Sequence, residues 1–132
     1  MSTSTKFLLA LALGGALPSA GCVMPSGEFV SYAADSPELA HASVSPEGVW
    51  ESVPWSGQDT PWLPFPPRVT VELEHTLGRE PRVVLVYLAF DADATDPALA
   101  AGDLARIVEV TNTTITVHND TNGSYFFRVV AY

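Results

Sequence analysis

Residues 68–74 read Arg68-Val69-Thr70-Val71-Glu72-Leu73-Glu74, a strict alternation with Val69, Val71 and Leu73 on one face and Arg68, Thr70, Glu72 and Glu74 on the other. Successive side chains of an extended chain point to opposite faces, so a period of two predicts a strand with one buried and one wet face. Residues 83–90 are apolar throughout. That run predicts a central strand covered on both sides, and it is short for a helix. Between the two, Gly78 and Pro81 mark a turn, the glycine for positive φ and the proline because it ends pairing. Residues 104–110, 113–118 and 124–132 read as three further strands, separated by Asn112 and by Asn119-Asp120-Thr121-Asn122-Gly123. Both separators suit tight turns. In the last strand Tyr125, Phe127, Val129 and Ala131 share one face, and Phe126, Arg128, Val130 and Tyr132 the other. The polar, alanine-rich stretch from Asp91 to Gly102 reads as a long loop with one helical turn starting at Asp96-Pro97.

Upstream, residues 49–67 hold Trp50, Trp55, Trp62 and Phe65 among Pro54, Pro61, Pro64, Pro66 and Pro67. Proline removes an amide donor and restricts the residue before it, so no regular helix forms here. A short strand at 49–53 is expected, with the indoles covering the open face of the sheet. The other reading makes Trp50, Trp55 and Trp62 an aromatic platform for sugar rings or a proline-rich partner. The fold class is therefore all-β: a small antiparallel β-sandwich of five to six strands over residues 49–132. Residues 22–48 show no lasting apolar period and read as a flexible tether.

Composition narrows the function. The chain of 132 residues carries six Lys and Arg against 15 Asp and Glu, a formal charge of -9. Its arginines (68, 79, 82, 106 and 128) are scattered, which excludes a basic nucleic-acid surface. One cysteine excludes an internal disulfide and a cysteine-based zinc site. The N-terminus has Lys6, then an apolar run from Phe7 to Leu17, then the small residues Ser19, Ala20 and Gly21 ahead of Cys22. This is the layout of an export signal. As a helix the run would span about 16 Å, roughly half of the ~30 Å hydrocarbon core, so it predicts export and not a retained spanning helix.

The segment Leu17-Pro18-Ser19-Ala20-Gly21-Cys22 resembles the lipobox of bacterial lipoproteins. The resemblance implies a signal peptide over residues 1–21 cut before Cys22, lipid attachment at Cys22, and a partner that is the membrane itself. Val23 after the cysteine implies outer-membrane sorting in the bacterial cell envelope. Two or three acyl chains, at ~0.8 kcal/mol per buried CH₂, would make that residence effectively permanent.

Motifs for chemistry are sparse. Asp91, Asp93 and Asp96 are the weak metal candidates, a calcium reading without EF-hand spacing, since Thr95 and Asp96 stand where that loop needs Asp or Asn and then Gly. His41, His75 and His118 are far apart, and no HExxH, GxSxG or P-loop spacing occurs. His75 and His118 are expected as exposed strand-end histidines. The order from Glu80-Pro81-Arg82 through Val117-His118-Asn119 to the closing aromatic strand is similar to the H-type lectins. That resemblance implies a six-stranded sandwich that trimerises, with His118 in the sugar-contacting position and Val117 where the family has tryptophan. The expectation is an envelope-anchored, non-catalytic binding or assembly module without cofactors, acting on a glycan or an envelope protein. A lectin-like carbohydrate module is the alternative, and a hydrolase with an unrecognised site the second. Homo-oligomerisation stays open.

Overall fold

Residues 28–55 and 60–132 are described in the structure, a computed structural model. Along them run ten strands: β1 (Phe29–Tyr32), β2 (Ser43–Val44), β3 (Trp50–Glu51), β4 (Leu63–Phe65), β5 (Thr70–Glu74), β6 (Val84–Ala89), β7 (Ala98–Ala100), β8 (Arg106–Val110), β9 (Thr114–His118) and β10 (Tyr125–Ala131). They form two sheets, a four-stranded one in the order β1-β5-β9-β8 and a larger one in the order β2-β3-β10-β6-β7, with β4 also paired to β10. The architecture is the expected all-β sandwich. It uses more strands than the five or six read from the sequence.

The alternating residues meet in the middle. Val71 and Leu73 of β5 and Ile115 and Val117 of β9 are buried from the first sheet, and Val86 and Leu88 of β6 with Phe127, Val129 and Ala131 of β10 from the second. Each such side chain contributes about 1.5–3 kcal/mol on leaving water. Phe65 and Phe127 pack at 4.6 Å between ring centroids. Gly78 takes φ +74 in the β5–β6 connection, the left-handed turn expected there.

Two expectations are corrected. From Glu28 to Gly48 the chain is part of the fold and not a tether. β1 pairs in parallel with β5, Phe29 opposite Thr70 and Tyr32 opposite Leu73, so the sheet is not purely antiparallel. Ser31 donates from Oγ to Glu72 at 3.0 Å, the 3-10 turn Pro37–Leu39 buries Leu39, and β2 pairs with β3. The reason is length: a four-residue strand shows only two alternations, too few to stand out from a polar background. The helical turn at Asp96-Pro97 is likewise absent. Ala98–Ala100 pair with β6 as the outermost strand of their sheet, and a 3-10 turn follows at Gly102–Leu104. The signal peptide and Cys22 lie outside the described residues.

β10 is the axis of the larger sheet. One side pairs with β6 from Phe126 to Ala131; the other is shared by β3 at Val130–Ala131 and β4 at Tyr125–Phe127. At the break the Ser52 amide donates to the Val129 carbonyl at 3.0 Å, and the Val129 amide donates to Ser52 Oγ at 2.9 Å. The chain leaves the sheet after Ser52 and returns at Trp62. Pro54 and Pro61 sit where the chain is off the sheet and no ladder amide is needed, whereas Pro64 lies within β4 opposite Phe126.

Candidate functional site

The tryptophans separate by burial. Trp50 is fully buried, edge-on to His75 with 6.2 Å between centroids, and Trp62 is buried as well. Neither belongs to an exposed platform. Trp55 alone is half exposed, at 50%. It lies edge-on to Trp62 at 5.9 Å and to Tyr87 at 4.9 Å.

These rings enclose Arg128. Although the alternation of β10 points it away from the core, it is 2% exposed. Its guanidinium carbon lies 5.0 Å from the Trp55 ring centre, 5.8 Å from Tyr87 and 6.0 Å from Trp62. Nε donates to the Val53 carbonyl at 3.1 Å, and Nη2 lies 3.1 Å from Glu51 Oε2 as a charge contact without the alignment of a hydrogen bond. A buried charge is tolerated when it is paired and bonded. Arg128 thus closes the gap between β3 and β4, and the tryptophans at the two ends of the excursion shut over it.

His118 sits on the outward face of the four-stranded sheet in a polar cluster. Its Nδ1 meets Thr70 Oγ1 at 2.8 Å, and Nε2 is 3.7 Å from Asp120 Oδ1. Asp120 bridges two arginines: Oδ1 takes Arg68 Nη1 at 2.7 Å and Oδ2 takes Arg106 Nη2 at 2.6 Å. Arg68 holds φ 58, a left-handed backbone unusual for a side chain of that size. Asn119 anchors the neighbouring loop, whose Thr121 carbonyl accepts the Arg68 amide at 3.2 Å. Its Nδ2 donates to the carbonyls of Phe65, Pro66 and Gly123 at 3.2, 2.9 and 2.8 Å, while Oδ1 accepts from the Thr121 amide and hydroxyl at 3.0 and 2.7 Å. The cluster's donors and acceptors are largely engaged with one another. His118 lies on the four-stranded sheet and Trp55 packs over Arg128 and Tyr87 of the other, so the two form no joint site.

His75 corrects the expectation of an exposed histidine, since it is buried. Nε2 donates to the Thr111 carbonyl at 3.0 Å and Nδ1 accepts from the Leu77 amide at 3.3 Å, so it serves as a strut between β5 and the β8–β9 turn. The aspartates do not converge on a metal either. Among the described residues no group of three or more His, Cys, Asp or Glu could hold an ion. Asp91 Oδ1 instead accepts the Thr95 amide at 3.1 Å, and that bond holds its carboxyl below the usual range. Ala94 and Asp96 turn the loop with φ 60 and 49.

A surface that the sequence reading missed lies along the β7 and β8 edges. Of the nine large apolar side chains exposed among the described residues, five fall between residues 90 and 108: Phe90, Leu99, Leu104, Ile107 and Val108. Phe90, Leu99, Leu104 and Ile107 line two grooves beside β7, the last strand of its sheet, and Val108 lies on β8, the last strand of the other. A groove of about 360 Å³ runs between Val84–Val86 and Ala105–Ile107, and a second of about 190 Å³ lies among Leu88, Phe90, Leu104 and Tyr125. Leu99 and Ala100 wall both. Leu99, an apolar residue inside the stretch read as polar loop, was the available signal. No helix of the described residues is long and apolar enough to cross a membrane. Comparison with protein-family models, curated proteins and solved structures finds no match to this chain.

Proposed function

We propose that this protein is exported, lipid-anchored at Cys22 in a bacterial cell envelope, and acts there as a non-catalytic binding module whose contact surface is the β7–β8 edge. The lipobox resemblance at Leu17–Cys22 supports the anchor. The binding half rests on one observation, the five exposed apolar side chains gathered between residues 90 and 108. The other four exposed large apolar residues, Phe29, Val44, Trp55 and Tyr132, are scattered along the chain, whereas an apolar patch on a folded surface marks a contact site.

The carbohydrate reading draws on the cluster around His118. Because its polar groups already bond one another, a sugar would have to displace formed ion pairs, and the apolar edge is the better-supported surface.

Metabolic labelling with a fatty acid, together with a photo-crosslinking residue placed at Leu99 and, as control, at Glu72, tests both halves in intact cells. Label present in the native chain and absent from Cys22→Ser, with adducts from position 99 only, is the expected result. Label retained in Cys22→Ser overturns the anchor. Adducts absent at 99, or equal at both positions, overturn the contact surface.

A further inference from the structure

We infer that the β7–β8 edge takes a cationic, amphipathic polypeptide segment, one that presents apolar side chains to the two grooves and Lys or Arg to their rims. This rests on the reading of that edge as the contact surface and adds the chemistry of its occupant.

Charge carries the inference. From Phe90 to Glu109 the sequence sets Asp91, Asp93, Asp96, Asp103 and Glu109 among the apolar residues, against the single cation Arg106. Arg106 is already held by Asp103 at 3.2 Å and Asp120 at 2.6 Å. Asp96 is the charged residue that lines the smaller groove, and the already paired Arg106 is the one that lines the larger. The segment that forms this edge is therefore acidic overall, its one cation spent on Asp103 and Asp120, and electrostatic complementarity selects a basic partner.

The same facts disfavour two other occupants. A second copy would set five acids against five, and an anionic lipid surface would be repelled. β8 is moreover protected against strand pairing by a bulge, Val108 being the extra residue between Ile107, opposite Val117, and Glu109, opposite Thr116. β7 has no such guard. It is the outermost strand of its sheet, reads Ala98-Leu99-Ala100, and carries no charge. An extended segment laid along β7 would place alternate side chains toward the grooves on its two flanks, the recurrent way in which a sheet edge accepts a peptide.

The test is a fluorescence-anisotropy titration of the full chain in detergent micelles with three synthetic peptides: alternating leucine and lysine, alternating leucine and glutamate, and alternating serine and lysine. Leucine–lysine binding at least about tenfold tighter than either of the others is expected, a gap of ~1.4 kcal/mol. Leu99→Ser and Leu104→Ser, both at exposed positions, should each weaken it several-fold. Asp96→Asn should weaken it and flatten its salt dependence, because asparagine keeps the left-handed backbone while removing the charge.

Equal binding of the leucine–lysine and serine–lysine peptides would mean bulk attraction to an acidic protein and overturn the inference, as would unchanged affinity in both leucine variants. A doubled sedimentation mass that reverts in Leu99→Ser would assign the edge to a second copy, with the same result. Absent crosslinks in cells alongside selective peptide binding would defeat the contact-surface reading alone.

Discussion

Replacing Asn119 by alanine removes the amide that holds the 119–123 loop, and the size of the loss follows from its bonds. The side chain is fully buried and donates to three carbonyls while accepting from Thr121 twice. A net hydrogen bond contributes about 0.5–1.5 kcal/mol, and leaving a buried group unpaired costs about 1–3 kcal/mol. The three donor contacts share two hydrogens and so do not add in full. A total of about 3–4 kcal/mol is expected, a large part of the 5–15 kcal/mol typical of a domain. In urea, at a slope near 1.5–2 kcal/mol/M, the midpoint should fall by about 2 M. Asn119→Asp supplies the control. It keeps the volume but turns the donor into a carboxylate facing three carbonyls, so its cost should equal or exceed that of alanine. A midpoint shift under about 0.5 M in either variant would refute the view that this amide organises the loop.

Two further outcomes follow from the same geometry. Arg128→Ala leaves the Val53 carbonyl without its donor and a hole beneath Trp55 and Trp62, and should cost about 3–5 kcal/mol in urea unfolding. Arg128→Met should cost less, because it fills the space and no charge remains to be desolvated; wild-type stability in the alanine variant would contradict the role assigned to the guanidinium. Burial first, then the nearby Glu38 and Glu28 carboxylates, raise the Tyr32 hydroxyl above its ordinary 10.0. The folded state then keeps that proton longer than the unfolded chain does, so stability is intact below pH 10 and falls as pH rises through the folded value. Tyr32→Phe should flatten the alkaline loss, as read by thermal melts across that range, and an identical alkaline profile in the variant would count against it.

The strands β5, β6, β8, β9 and β10 are legible in the chain because each carries enough alternation, or an apolar run long enough, to stand apart from its flanks. β1, β2, β4 and β7 are not, since with two to four residues their identity comes from the partner that pairs with them. The site followed the same division. Trp50, Trp55 and Trp62 look alike in the sequence, yet one is core, one is a half-exposed cover and one seals Arg128.

What the sequence by itself determined is the period of the longer strands, the acidity, the turn residues at Gly78 and in Asn119–Gly123, and the resemblance around Cys22. Only the tertiary structure decided that β1 lies parallel to β5, that β3 and β4 divide one side of β10, that Arg128 and His75 are interior, and that β7 is the last strand of its sheet among the described residues. The physical reason is that a residue's local pattern says which neighbours share its face, whereas what covers that face is supplied by segments distant along the chain, whose arrival the pattern does not encode.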